Sequence, residues 1–109
     1  MRIQISSDST CDLSPALVEQ YNIAIKPLYV TKGDCTYLDY VNITPEEIYA
    51  HVDNGGDICS TAAVNIGDYI DHFNELRKDC DAIIHICISA DFSSCYQNAC
   101  LAAADIDGV

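Results

Sequence analysis

Residues 89–94 read Ser-Ala-Asp-Phe-Ser-Ser and link an apolar run, Asp81–Ile88 (DAIIHICI), to a helix-forming segment, CYQNACLAAA from Cys95. A serine at the start of a helix has two uses. Its oxygen can accept a hydrogen bond from a backbone N–H of the first turn and so cap the helix. Its O–H can donate to an anion, which free N–H groups and the helix dipole favour at that end. Ser93 and Ser94 are placed for either use. Thr61, in the stretch CSTAA (Cys59–Ala63), follows a loop and precedes a helix, so its hydroxyl serves a ligand or a turn. Asp8, Ser9 and Thr10 come just after the first strand. There Asp8 could orient a hydroxyl or accept a proton, and an Asx turn is the plainer use.

Other reactive side chains lead to less. Cys11 beside Asp12 has no base or cation near it in sequence, so its thiol should stay protonated. His51 and His72 sit on helices and are expected to face water, whereas His85 lies inside an apolar strand and is expected to be a satisfied core histidine. There is no phosphate loop of the G-x-x-x-x-G-K form, and no Ser–His–Asp set can be assigned. Seven cysteines make an odd count, and none forms a C-x-x-C pair. A disulfide framework and a zinc cage are both unsupported, and reduced thiols are expected, with Cys87 as a small core residue. No cofactor and no metal site are expected.

Charge narrows the ligand. The chain carries a formal net charge of -12, with 5 basic residues against 17 acidic ones. That is too few cations to track a phosphate backbone, so nucleic acid is excluded as an expected partner. An anionic ligand would have to be held by hydroxyls and backbone N–H groups. No apolar run reaches the ~18 residues of a membrane span, so an integral membrane protein is not expected. The start MRIQISSDST has no long apolar stretch and no cleavage signal, which leaves a cytoplasmic address as the default.

The elements that must position these groups follow from patterning. Arg2–Ser6 alternates and reads as a strand, followed by a turn, SSDSTCDL. Ser14 and Pro15 open a helix through Tyr21, in which Leu17 and Tyr21 would share a buried face. Ile23–Val30 reads as a second strand, and Pro27 within it hints at an edge or a bulge. A turn-rich excursion follows, with a short hairpin around Gly33. Thr44, Pro45 and Glu47 form a capping box for a helix whose inward pair is Ile48 and Val52, and Gly55 and Gly56 stop it. Asp57–Val64 is read as an extended loop. Asn65 caps a third helix with an apolar stripe of Ile66, Tyr69, Ile70, Phe73 and Leu76. Ala82–Ile88 is a buried strand, and a last helix runs to about Asp105. This alternation predicts an α/β domain with a parallel sheet and helices on both faces. Ligands in such sheets sit beyond the carboxyl ends of the strands. The loops Ser7–Asp12, Cys59–Val64 and Ser89–Ser94 lie there, and all carry hydroxyls. The closing DIDGV turns toward a further strand beginning at Val109, so the chain is expected to stop before its next strand.

Several stretches, taken in order, resemble the DegV family: SDSTCDLSPALVEQYNIAIKPLYV, GDCTYLDYVNITPEEIY, GDICSTAAVNIGDY and IHICISADFSSCYQNACLAA. The resemblance runs nearly the whole length. It implies that residues 1–109 are the N-terminal α/β domain of a two-domain binder of long-chain fatty acids, with the second domain absent from this chain. It also implies that the carboxylate is held by hydroxyls of this domain, the acyl chain lies in an interdomain tunnel, and the acid is presented to a separate fatty acid kinase. The threonine of the family's T-S loop falls on Thr61, and the serine beside it on Ala62. The serine of the S-S-x-L-S-G-T loop falls on Ser93, and the glycine and threonine after it on Ser94 and Cys95. Ala90, Asp91 and Phe92 precede it. Asp8, Ser9 and Thr10 keep the family's D-S-T turn as a support.

The expected function is therefore fatty-acid binding without catalysis. Thr61 and Ser93 would hold the carboxylate, with Ala62, Ala63, Phe92 and Ser94 near the ligand. The alternative is an α/β phosphotransfer or hydrolytic subunit using Asp8 and the serine loops. A third outcome is a truncated product with no ligand. An interdomain face left open would be apolar and would favour homo-oligomers.

Overall fold

The computed structural model describes all 109 residues. In chain order the elements are β1 (Ile3–Asp8), a 3-10 turn (Ser9–Cys11), α1 (Pro15–Gln20), β2 (Ala24–Lys26), β3 (Tyr29–Lys32), β4 (Cys35–Leu38), α2 (Pro45–Asp53), β5 (Ser60–Ala62), α3 (Ile66–Arg77), β6 (Ala82–Ile86) and α4 (Cys95–Ala103). The parallel sheet has the order β2-β1-β6. Its register sets Ser6 opposite both Ala24 and His85, and Ser7 opposite both Ile25 and Ile86. Partners in a parallel register share a face, and successive residues alternate faces. Gln4, Ser6, Asp8, Ile83 and His85 therefore look to one side, and Ile3, Ile5, Ser7, Ile84 and Ile86 to the other.

The first face meets α3 and α4. Tyr69, Phe73, Ile83, Cys95, Ala99 and Ala102 form the core there, with Leu28 and Val64. Tyr69 and Phe73, one helical turn apart, stack at 5.7 Å and are wholly buried. Ile70 and Leu76 pack beside them, as the stripe predicts, while Ile66 points outward. The second face is thinly covered. Val18 and Pro15 of α1 line a pocket with Ile25, but α1 buries no residue, and Ile3, Ile84 and Ile86 stay about half exposed. Helices do lie on both faces, unevenly. Only 14 of the 109 residues are buried, and the Cα radius of gyration is 15.0 Å. A compact chain of this length would measure about 13 Å.

Several boundaries differ from the sequence reading, each for a physical reason. Ile23–Val30 is not one strand. It breaks at Pro27 and Leu28, where proline cannot donate to a ladder, and the halves join different sheets. Its second half, β3, pairs antiparallel with β4 and also with β5. Residues 60–62, read as loop, thus form an edge strand. The hairpin at Gly33 is present, with φ +61 at that glycine, as its two-residue turn requires. Strand β1 runs on to Asp8, so Asp8 and Ser7 lie in the sheet rather than in a turn. Strand β6 stops at Ile86, leaving Cys87 just beyond it. Leu17 and Tyr21 are 40% and 64% exposed, because nothing packs over that side of α1, and Val52 is exposed likewise.

The predicted N-caps hold, although Glu47 reaches the Thr44 hydroxyl and not its N–H, so the capping box is half made. Ser14 accepts from Leu17 N–H at 3.3 Å, and Asn65 accepts from Asp68 N–H at 2.8 Å. Thr44 accepts from Glu47 N–H at 3.4 Å and donates to the Glu47 carboxylate. No helix is long and apolar enough to cross a membrane. Near the chain's end, Gly108 accepts a bond from Ile83 N–H at 2.7 Å on the outer edge of β6.

Candidate functional site

Polar residues form two groups, one buried on the inner face of the parallel sheet and one exposed on β5 and in the loop before α4. The deeper one was not legible from spacing. Ser6 and His85 face each other across the β1–β6 register, and α3 brings His72 and Tyr69 over them. The Ser6 hydroxyl lies 2.7 Å from His72 Nε2 and 2.8 Å from His85 Nδ1. His85 Nε2 lies 3.2 Å from Asp8 Oδ1, which also accepts from Tyr69 O–H at 2.6 Å. Asp8 Oδ2 accepts from Ile88 N–H at 3.4 Å. One arrangement of protons satisfies the chain with both imidazoles neutral. His72 Nε2–H donates to Ser6, Ser6 donates to His85 Nδ1, and His85 Nε2–H donates to Asp8.

These contacts correct the reading of three residues. His72 does not face water: it is bonded to Ser6 and tilted against the Phe73 ring at 5.7 Å. His51 does not face it either. Its Nε2 is buried without a partner, and its ring packs so closely under Gly56 that a Cβ there would lie 2.4 Å away. Asp8 forms no Asx turn. It is wholly buried and acts as the acceptor that closes the network. His85 is the satisfied core histidine expected, held edge-on between Tyr69 and Phe73 at 5.3 and 5.2 Å. A serine, a histidine and an aspartate thus do meet, but Ser6 has 0% exposure and no substrate can reach it.

Electrostatics follow the burial. Desolvation works to raise the Asp8 pKa, but the bonds from His85 and Tyr69, the electrostatic attraction of the His85 ring and the Ile88 N–H outweigh it and hold Asp8 below the ordinary value. Burial, then the neighbouring His85 and Lys26, lower His72 to about 4, with Asp8 opposing. Burial pushes the Cys87 thiol up to about 12, helped by the Asp8 charge. Tyr69 is raised by burial and by its bond to Asp8, so it stays a donor.

The shallower group forms the rim. Thr61 lies on β5 opposite Val30 and is exposed. Ala62 is exposed too, while Ala63 packs against the core. Asn98 of α4 donates to Val64 O at 2.9 Å and so ties the Thr61 segment to the helix that follows the serine loop. Ser93 accepts from Cys95 N–H at 3.1 Å, which makes it the capping serine; Ser94, at the N-cap position, makes no side-chain cap. The N–H groups of Tyr96 and Gln97 have no partner within the chain. Phe92 is 80% exposed beside them. Asp91 is exposed, with its N–H bonded to Ser89 Oγ at 3.2 Å. Ser9 stays below the rim and accepts from Leu28 N–H at 3.1 Å, a supporting contact between the first turn and the break at Pro27. Thr10 is half-buried in the 3-10 turn.

The sequence profile described as "Uncharacterised protein, DegV family" matches residues 2–109. The chain belongs to the DegV family. A DegV domain-containing protein of Staphylococcus aureus is 39% identical over 103 residues, which cover 94% of this chain and 37% of that protein. The fold matches the DegV family protein of Thermus thermophilus, whose structure is described by its fatty acid binding, with TM-score 0.88 and 32% identity. That match covers 99% of this chain and 39% of the other. It also matches DegV of Bacillus subtilis, described as a fatty acid binding protein, with TM-score 0.91 and 28% identity over 99% of this chain and 38% of that one. The chain thus spans less than two fifths of the length of these DegV relatives.

Proposed function

We propose that this DegV domain binds a long-chain fatty acid by its carboxylate and catalyses nothing. The observation that carries the reading is the donor set at the start of α4. Two backbone N–H groups, Tyr96 and Gln97, are unpaired there, and Ser93 accepts a bond while its own O–H remains free to donate. A helix N-terminus with hydroxyls beside it favours an anion without any lysine or arginine. Thr61 supplies the second hydroxyl, on the segment that Asn98 fastens to the same helix. Such charge-assisted bonds are worth about 1.5–3 kcal/mol each. Exposed Phe92 with Ala62 gives the acyl chain an apolar start, and each buried CH₂ adds about 0.8 kcal/mol. Asp91 works against the anion, so the tail supplies most of the affinity.

The fatty acids bound by the relatives support this reading, as does the burial of Asp8, which removes the one carboxylate that an enzymatic role would have used. In the fuller proposal, residues 1–109 act as the carboxylate-binding domain, a second domain or a second copy closes the tunnel, and the acid is presented in the cytoplasm to a separate fatty acid kinase.

Native mass spectrometry of the purified chain, followed by solvent extraction, tests it. A bound palmitate- or oleate-like acid is expected. Its retention should fall at least tenfold when Thr61→Ala and Ser93→Ala are combined, the loss of one charged hydrogen bond alone being worth that. A chain that carries no acid and takes up none of added oleate would overturn the proposal.

A further inference from the structure

We infer that Asp8, His85 and Cys87 form a binding site for a zinc-class divalent cation beneath the rim. Their ligand atoms lie within 4.8 Å of one another. His85 Nε2 and Asp8 Oδ1 are already 3.2 Å apart. Ligands on a tetrahedral zinc, with bonds of 2.0–2.3 Å, stand roughly 3.3–3.6 Å apart, so closure needs no pair to move in by more than roughly 1.5 Å. The set is one nitrogen, one oxygen and one sulfur, which suits Zn²⁺ or Co²⁺ and excludes Ca²⁺ and Mg²⁺ as good fits.

Three features of the surroundings separate this trio from a chance cluster. The first is a buried carboxylate whose partners are a tyrosine O–H, a backbone N–H and His85. The Asp8 carboxylate has 0% exposure, and no lysine or arginine pairs with it. Buried charges are ordinarily paired or coordinate metals. The second is the hydrogen-bond chain through Ser6. It can run in the opposite sense, with His85 Nδ1–H donating to Ser6 and Ser6 donating to His72 Nε2. Reversal frees the lone pair of His85 Nε2 on the Asp8 side and gives the ligating imidazole the outer partner such ligands need. Tyr69 O–H and Ile88 N–H orient the carboxylate in the same way. The third is access. His85 and Cys87 both line a cavity of about 120 Å³ between β6 and α4, with Tyr96 and Cys100 on its wall. Three protein donors plus a position facing a cavity is an open site rather than a closed structural one.

The test uses the 109-residue chain, stripped with EDTA and titrated with Co²⁺. One equivalent per chain is expected, with a near-ultraviolet thiolate-to-cobalt charge-transfer band. Cys87→Ser should abolish the band and weaken binding more than tenfold. Cys35→Ser, at an exposed cysteine outside that cavity, should leave both unchanged. Ser6→Ala should weaken binding 10–100-fold while keeping the band, since it removes only an outer partner. Folding of each variant is checked by circular dichroism. Paramagnetic broadening in the unaltered chain, centred on the amides of residues 8, 85 and 87, locates the ion without any substitution. A missing band at one equivalent, a band that survives Cys87→Ser, or broadening centred elsewhere would overturn the inference.

Discussion

Replacing Tyr69 by phenylalanine removes one oxygen from the interior and little else. That oxygen donates to Asp8 at 2.6 Å, and both residues have 0% exposure. The contacts left to Asp8 are longer, 3.2 Å to His85 Nε2 and 3.4 Å to Ile88 N–H. The lost bond is therefore the best one the carboxylate has, and no water replaces it. Hydrogen bonds to charged groups contribute about 1.5–3 kcal/mol, so a loss of about 2 kcal/mol is expected at pH 7. With a urea slope of about 1.5 kcal/mol/M, the midpoint should fall by about 1.3 M. The effect should depend on pH with a defined sign. Asp8 is held below its ordinary pKa, so its stabilisation is present above that ordinary value and is lost as pH falls through the folded one. The gap between the unaltered chain and Tyr69→Phe should hence narrow near pH 3. A double-mutant cycle with Asp8→Asn, run in EDTA, should return a coupling of at least about 1 kcal/mol. A destabilisation under about 0.5 kcal/mol at pH 7, or a coupling near zero, would refute the reasoning.

Two further outcomes are expected. His72 is lowered to about 4 by burial and by its neighbours, so the unfolded chain takes up its proton first as pH falls. The stability it supports is complete above about pH 6.5 and is lost between there and pH 4, by about 2 kcal/mol after allowance for its partial exposure. Urea midpoints between pH 7 and 4.5 should fall for the unaltered chain and fall less for His72→Gln, and equal slopes would contradict this. Gly108→Ala should cost about 1–2 kcal/mol, because Gly108 has φ +85 and an added Cβ would lie 2.8 Å from Asp81 O. A thermal shift of zero would show that the turn rearranges freely.

Local chemistry was readable where a few neighbouring residues decide it. Ser14, Thr44 and Asn65 announce their helices because a cap needs only a side chain and an N–H three residues on. Gly33 marks its hairpin for the same reason. Pro27 was readable as a disturbance, but not as the division between two sheets, which depends on where β5 pairs. Leu17 and Tyr21 have helical spacing, yet spacing cannot say whether anything lies opposite. The buried network was the least legible part. Ser6 meets His72 across 66 residues and His85 across 79, through a strand register that no local pattern encodes. One signal was present: His85 is a polar residue at an inward position of the otherwise apolar β6, and Gln4, Ser6 and Asp8 alternate along β1. Cys87 stands two residues from His85 in sequence, but Asp8 joins them only from the neighbouring strand β1. The rim positions Thr61 and Ser93 came from family likeness; Ser93 immediately precedes α4, whose first N–H groups are unpaired, and Thr61 lies on β5, three residues before the Val64 carbonyl that Asn98 bonds.

The most direct test of the carboxylate site is a two-dimensional ¹H–¹⁵N spectrum of the labelled chain titrated with oleate and, separately, with methyl oleate. The two ligands share a tail and differ only in the charge that the rim is argued to hold. Oleate is expected to shift the amides of Thr61, Ser93, Tyr96 and Gln97, and the ester to leave those four unmoved. Equal shifts from both ligands, or oleate shifts confined to other residues, would contradict it.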